Sequence, residues 1–248
     1  MIPVKSESDI LKMRGVCKIA AGVLKHIEPL IRPGVSTAEI NAAAEEYILN
    51  AGAKPNFKNY NGFPAAACIS VNDTVVHGIP SPSAILKEGD IVSVDLGAVK
   101  DGFHSDAART YPVGNVSPAR KRLVDAAEES FFEGLRFARP GRRIGDISNA
   151  VQRCVEARGF SVVRAMVGHG IGRSLHEEPT IPNFGAPGQG PLIKAGYCLA
   201  IEPMINAGGF AVVIDPDGWT CRTKDGSDSA HYENTVLITH SGAEILTL

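Results

Sequence analysis

Residues 94–110, reading VDLGAVKDGFHSDAART, place Asp95 at the end of an apolar run, Asp101-Gly102 in the middle and Asp106 shortly after. Asp-Gly is a strong signal for a two-residue hairpin loop, because both central positions of a type I′ turn need positive φ. With the loop at 101–102, Lys100 faces Phe103 and position 95 faces position 108. Asp106 then sits one diagonal step from Asp95 on the same face, roughly 7–8 Å away at Cα, within reach of shared cations. A three-residue loop would put the two acids on opposite faces. Taken alone, the stretch also reads as two solvated acids flanking a surface turn.

The elements that must position these acids are legible around them. Ser8 to Leu30 carries Ile10, Met13, Cys17, Ala20, Leu24 and Ile27 at helical spacing, with Ser6 and Asp9 as a capping pair and Pro29 at the end. Arg32-Pro33-Gly34 is a turn, and Ser36-Thr-Ala-Glu39 opens a second helix that Gly52 closes. Short apolar runs at 68–71 and 75–76 precede His77, and the strand Ile91 to Asp95 follows. The second half repeats this plan. Ser117-Pro118 opens a helix bearing Leu123, Ala127, Phe131 and Leu135. Arg139-Pro140-Gly141 matches Arg32-Pro33-Gly34, Ile147 and Gly159 match Ile40 and Gly52, and Leu-Ile-Lys-Ala-Gly at 192–196 matches Ile-Leu-Lys-Glu-Gly at 85–89, all at an offset of 107 residues. The same register sets Glu202 on Asp95 and Gly209-Phe210 on Gly102-Phe103. It implies one domain over residues 1–248, built from two αα-β halves (about 8–112 and 115–248) related by a pseudo-two-fold, with helices covering antiparallel strands in an α+β layout. His-Gly-Ile recurs at 77 and 169, out of this register.

A two-fold that equates Asp95 with Glu202 brings one acid from each half toward the axis. Two such carboxylates either share a proton or hold metal. Proton sharing is the weaker reading, because Asp95-Leu-Gly and Glu202-Pro-Met lack the Asp-Ser/Thr-Gly turn of an aspartic-protease dyad. His169 lies in Met166-Val-Gly-His-Gly-Ile-Gly, where flanking glycines permit close approach to an imidazole, although a lone histidine of this kind also fits a structural role. Glu233 stands in an otherwise apolar strand, and a buried acid needs a partner or an ion. One imidazole and four carboxylates form a hard, oxygen-rich donor set suited to divalent Mn, Fe or Co. Paired divalent ions acidify water toward neutrality and clamp a tetrahedral intermediate, which is hydrolytic chemistry.

Composition excludes other classes. A net charge of −2 provides no field for nucleic acid or an anionic membrane, and the basic clusters at 120–122 and 139–143 lie beside helices as solvated faces. Five cysteines (17, 68, 154, 198, 221) without CxxC spacing favour reduced thiols in a cytosolic protein over disulfides or a zinc knuckle. The N-terminal stretch has no apolar signal region, and no window approaches the ~18 apolar residues of a membrane span.

The run Met166-x-Gly-His-Gly-Ile-Gly-x-x-x-His176-Glu-Glu-Pro, the run Asn72-Asp-Thr-Val-Val-His77-Gly-Ile-Pro and the acids at 95, 106, 202 and 233 together resemble type I methionine aminopeptidases over nearly the whole chain. The resemblance implies the pita-bread fold, whose internal two-fold agrees with the repeat, and two divalent ions (Co, Mn, Fe(II) or Zn) on Asp95, Asp106, His169, Glu202 and Glu233. Asp106 and Glu233 would bridge the ions, Asp95 would complete one position, and His169 with Glu202 the other. It implies removal of the initiator methionine from nascent chains when the second residue is small and uncharged, by a cytoplasmic monomer with the ribosome as a neighbour. Glu202 would be general base, His176 would hydrogen-bond the carbonyl oxygen, and His77 would contact the scissile nitrogen or the backbone beyond it. Tyr60, Phe63, Cys68 and Trp219 would line the methionine pocket, with Phe57 and Leu175 at its rim. The family commonly has Cys where Phe57 stands and Phe where Leu175 stands, so the pocket's shape is expected to differ. Asn72, Thr74 and Ser229 would form a monovalent-cation site. Type II enzymes carry a helical insertion for which the Gly196–Glu233 spacing leaves no room, and dead peptide-binding relatives lose metal ligands that are all present here. Ile2 is too large for the implied substrate rule, so Met1 is expected to be retained.

Overall fold

A computed structural model describes residues 2–248; Met1, whose retention the substrate rule bears on, lies outside them. Helix α1 (Glu7–Ile27) begins at the predicted capping box, in which Ser6 accepts from the Asp9 amide and Asp9 accepts from the Ser6 amide. It runs into a 3-10 turn at Glu28–Leu30 that contains Pro29. Helix α2 (Thr37–Asn50) opens on the Ser36/Glu39 box and gives way to Gly52 at φ 67°. Three strands of the first half enter the main sheet: β1 (Ala67–Val71), β2 (Ile91–Leu96) and β3 (Ala107–Pro112). In the second half α3 (Pro118–Leu135), capped by Ser117, and α4 (Ile144–Ala157) precede β4 (Gly168–Gly170), β5 (Glu177–Ile181), β6 (Cys198–Ile201), β7 (Glu233–Ile238) and β8 (Ala243–Ile245).

The strands form one antiparallel sheet in the order β5-β4-β6-β7-β3-β2-β1, with β8 also on β7. The two halves join where β7 pairs with β3, Glu233 opposite Ala108 and Asn234 opposite Ala107. Alternation along β2 sends Val92, Val94 and Leu96 into the core beneath α1 and α2, leaving Ser93 and Asp95 on the opposite face. A second core, containing Phe131, Ile147, Val151, Leu199 and Ile201, lies beneath α3 and α4.

The 107-residue repeat is visible in the structure. Helices α2 and α4 have equal spans displaced by 107, and the bridge between Ser36 and Ile85 recurs between Arg143 and Leu192. Past Glu202 the offset changes. Strand β2 pairs with β3 with Asp95 opposite Ala108, while β6 pairs with β7 with Cys198 opposite Leu237, so β3 maps onto β7 at an offset of 125. The expected match of Gly209-Phe210 to Gly102-Phe103 therefore fails. The second half instead inserts a hairpin, Val212–Ile214 with Cys221–Thr223, that docks on Thr74–Val76 of the first half before β7 begins. The first-half hairpin turns where expected. Asp101 and Gly102 both have positive φ (52° and 75°), Lys100 faces Phe103, and its tip bends away at Gly97 and Ser105 to pair with Lys54–Pro55.

Candidate metal centre

The outward face of the central strands carries the acids. Asp95 lies on β2, Asp106 immediately precedes β3, Glu202 follows β6 and Glu233 opens β7. His169 is the middle residue of β4, opposite Ala200 of β6. Its glycine neighbours have a steric cause: a side chain at Gly168 would run into the Ala200 carbonyl and the Glu202 side chain. Nδ1–H of His169 donates to the Gly170 carbonyl (2.9 Å), which leaves the Nε2 lone pair facing Glu202 Oε1 at 3.4 Å and Asp106 Oδ2 at 3.6 Å. The structure thus brings together the five residues read from the sequence.

Asp95, Asp106, His169 and Glu233 are buried, and Glu202 is partly so. Desolvation, followed by the neighbouring carboxylates, pushes Asp95, Glu202 and Glu233 well above the usual carboxylate range; desolvation pushes Asp106 up to about 8. Asp95 Oδ1, Asp106 Oδ1 and Glu233 Oε1 have no hydrogen-bond partner among the described residues. The nearby Arg109 spends its Nη1 on the Ala108 and Glu233 main-chain carbonyls, at 2.7 and 2.5 Å, and its Nη2 on Asn234. Four crowded acids, three of them with an idle oxygen, lack compensating charge, and divalent cations fit that deficit. One ligand atom each from Asp106, His169 and Glu233 lie within 4.8 Å of one another, as do atoms of Asp95, His231 and Glu233.

Above the acids is a cavity of about 290 Å³. All the predicted pocket residues line it: Phe57, Tyr60, Phe63 and Cys68 from the first half, Leu175 and Trp219 from the second. Phe63 and His77 both meet Trp219 edge-on, with ring centroids 5.3 and 6.3 Å away. Burial raises the Cys68 thiol, so it stays protonated and soft. His77 holds a positive φ of 59°, a strained conformation for a non-glycine residue of the kind concentrated at functional sites. His176 lies at the rim, 2.7 Å from the Tyr60 hydroxyl through Nδ1 and with its ring 4.3 Å from that of His169. Desolvation, then the His169 and His104 rings, push its imidazole down to about 4. Met166, Val167, Val76, Met204 and His231 also line the cavity and were not read from the sequence. For His231 a signal existed: it stands two residues before Glu233, a spacing that shares a face in extended chain.

The residues expected to hold a monovalent cation are near one another but already engaged. The Asn72 side chain bonds Asp90 and the Ile91 amide, Thr74 Oγ1 accepts from Arg222, and Ser229 Oγ donates to Ile205 O and Asn206 Oδ1. The Ser229 amide donates to the Asn72 carbonyl (2.8 Å).

The model of metallopeptidase family M24 matches residues 11–240. The chain belongs to that family. Among curated members it is 54% identical over 248 residues to a methionine aminopeptidase of Clostridium perfringens, covering 100% of this chain and 99% of that one. It is 49% identical to methionine aminopeptidase 1 of Bacillus subtilis, again over 100% of this chain and 99% of that one. The crystal structure of methionine aminopeptidase from Thermotoga maritima superposes with a TM-score of 0.98 at 46% identity, covering 100% and 99% of the two chains. Prolidase from Pyrococcus furiosus shares the fold, with a TM-score of 0.81 at 24% identity, over 99% of this chain and 65% of that one. Membership in M24 makes the chain a metal-dependent hydrolase with the pita-bread fold. No helix among the described residues is long and apolar enough to cross a membrane.

Proposed function

We propose that this chain is a methionyl aminopeptidase that uses two divalent ions, drawn from Mn, Fe(II), Co and Zn, to remove the initiator methionine from nascent polypeptides whose second residue is small and uncharged. Residues 1–248 act as one catalytic unit, in the cytoplasm, as a monomer meeting its substrates near the ribosome. The observation that carries the reading is the set of buried carboxylates with idle oxygens at the floor of an apolar cavity. Asp95, Asp106, His169, Glu202 and Glu233 would together hold the ions.

When bound, the ions supply Lewis acidity, polarising the scissile carbonyl and lowering the pKa of the attacking water. Glu202 accepts the proton from that water and delivers it to the departing amine. The Tyr60 hydroxyl lies 2.7 Å from His176 Nδ1; in the tautomer this reading requires, it donates to Nδ1, and Nε2–H donates to the oxyanion as it develops. His77, braced by Trp219, contacts the scissile nitrogen or the backbone beyond it. The methionine thioether packs on Phe63, Cys68 and Trp219. Phe57 and Leu175 exchange sizes relative to the family pattern while facing the same cavity, so the apolar volume is redistributed rather than lost. The test is release of methionine from Met-Ala-x but not Met-Leu-x peptides by protein loaded with Mn, Co or Fe(II). Failure to cleave with every ion would overturn the assignment in favour of a peptide-binding module.

A further inference from the structure

His231 takes part in none of these steps, yet it is the most enclosed imidazole at the site. It is 1% exposed, and neither ring nitrogen has a hydrogen-bond partner among the described residues. Buried polar atoms are rarely left unsatisfied, because each then loses its hydration with nothing in return, so idle nitrogens in a closed position call for an occupant. The ring is not idle for want of neighbours, since Nε2 is 3.8 Å from Glu233 Oε2, and His231, Asp95 and Glu233 offer one atom each within 4.8 Å of one another.

The pseudo-two-fold gives an independent reason. Thr235 Oγ1 accepts from the Asp106 amide (3.1 Å) and donates to the Asp106 carbonyl (2.8 Å). Thr110 Oγ1 accepts from the His231 amide (2.8 Å) and donates to the His231 carbonyl (2.8 Å). The two clasps are related by the same 125-residue offset that carries β3 onto β7. His231 is therefore the symmetry mate of Asp106, as Glu202 is the mate of Asp95, and its backbone is fixed at the axis by the same device.

We propose that His231 Nε2 is a ligand to the divalent ion held by Asp95 and Glu233, so that each ion of the pair carries one imidazole. The inference rests on the metal centre of the proposed function and adds a sixth donor to it. A nitrogen donor moves an otherwise all-oxygen position toward Fe, Co and Zn and away from Mn.

The test uses the whole chain loaded with Co(II). Proton NMR of the wild type should show two exchangeable, hyperfine-shifted imidazole N–H signals, from His169 and His231, and His231→Gln should show one. Titration calorimetry should give a Co(II) affinity at one site at least tenfold weaker in His231→Gln, the scale seen even for outer-shell partners of metal ligands, with a smaller change for Mn(II). Should the glutamine variant fold poorly, His231→Asn serves, because the Thr110 clasp engages only the main chain. A single shifted N–H in the wild type that persists in the variant, with Co(II) affinity unchanged, would overturn the proposal and leave His231 as cavity lining. Absence of Co(II) binding in the wild type would instead overturn the metal centre itself.

Discussion

Asp106→Asn should change the stability of the protein in opposite directions with and without metal. Asp106 is 4% exposed, and desolvation raises its pKa from the ordinary 3.8 to about 8. Because the folded-state pKa is raised, folding favours the protonated acid. Stability from this group is fully present below the unfolded value near 4, is lost as pH rises through the window to about 8, and is constant above it. At pH 7 the penalty accumulated over about three pH units, at 1.36 kcal/mol each, is about 4 kcal/mol. Asparagine has nearly the same shape and no charge to bury, so the metal-free variant should be more stable than the wild type by up to about 4 kcal/mol at pH 7, with the gain vanishing near pH 4. With divalent ions the order reverses. The wild type gains about 5.5 kcal/mol at a free ion concentration about ten thousand times Kd, more than the about 4 kcal/mol it gives up in EDTA, and a variant lacking one carboxylate charge forfeits most of that gain. Urea unfolding in EDTA and in excess Mn(II), at pH 5 and pH 7, reads both signs, with methionine release lost in the variant throughout. An Asp106→Asn protein less stable than the wild type in EDTA at pH 7 would show that the carboxylate is not a buried charge awaiting a cation.

Tyr60→Phe removes the hydroxyl 2.7 Å from His176 Nδ1 and frees the ring to change tautomer. We expect kcat to fall about tenfold, equivalent to ~1.4 kcal/mol, with KM nearly unchanged in steady-state assays. Lys5→Met strands Glu177, whose carboxylate pairs with Lys5 at 2.7 Å and accepts from the Arg173 and Ser174 amides in the segment leading to His176. Removing one partner of a buried pair costs roughly 3–5 kcal/mol, so the urea midpoint should drop markedly. Thr110→Val cuts both bonds to the His231 main chain while keeping the volume, and denaturant unfolding should show a loss of roughly 2 kcal/mol.

The parts legible in the sequence are those fixed by local chemistry. Ser6/Asp9, Ser36/Glu39 and Ser117-Pro118 start helices because a side chain satisfies amides within one turn. Asp101-Gly102 sets the register that puts Asp95 and Asp106 on one face because only that loop length is compatible with two successive positive φ values. The equal spans of α2 and α4 follow from similar signals repeated at one offset. What could not be read is non-local. The hairpin between Glu202 and Glu233 exists to pair with Thr74–Val76 in the other half, and no residue within it announces that partner. It shifts the repeat from 107 to 125, which displaced the expected tip at Gly209-Phe210 and concealed the kinship of Asp106 and His231.

The corrected register also explains why the duplicated scaffold must be asymmetric at its centre. The mate of Glu233 at the 125 offset is Ala108, and these two residues face each other directly across the β3–β7 pair. A second glutamate at 108 would set two carboxylates on opposed positions with Cβ atoms roughly 4.5–5.5 Å apart, where like charges repel, in a place that excludes water. Similarly, the mate of His169, by the pairing of Ser70 with Ser93 and of His169 with Ala200, is the small residue Ser70. At Glu233/Ala108 and His169/Ser70 the chain thus places a large donor on one side of the related pair and a small residue on the other. At Asp95/Glu202 and Asp106/His231 both mates carry oxygen or nitrogen donors, and neither pair is set directly opposite across a strand pairing as Glu233 and Ala108 are.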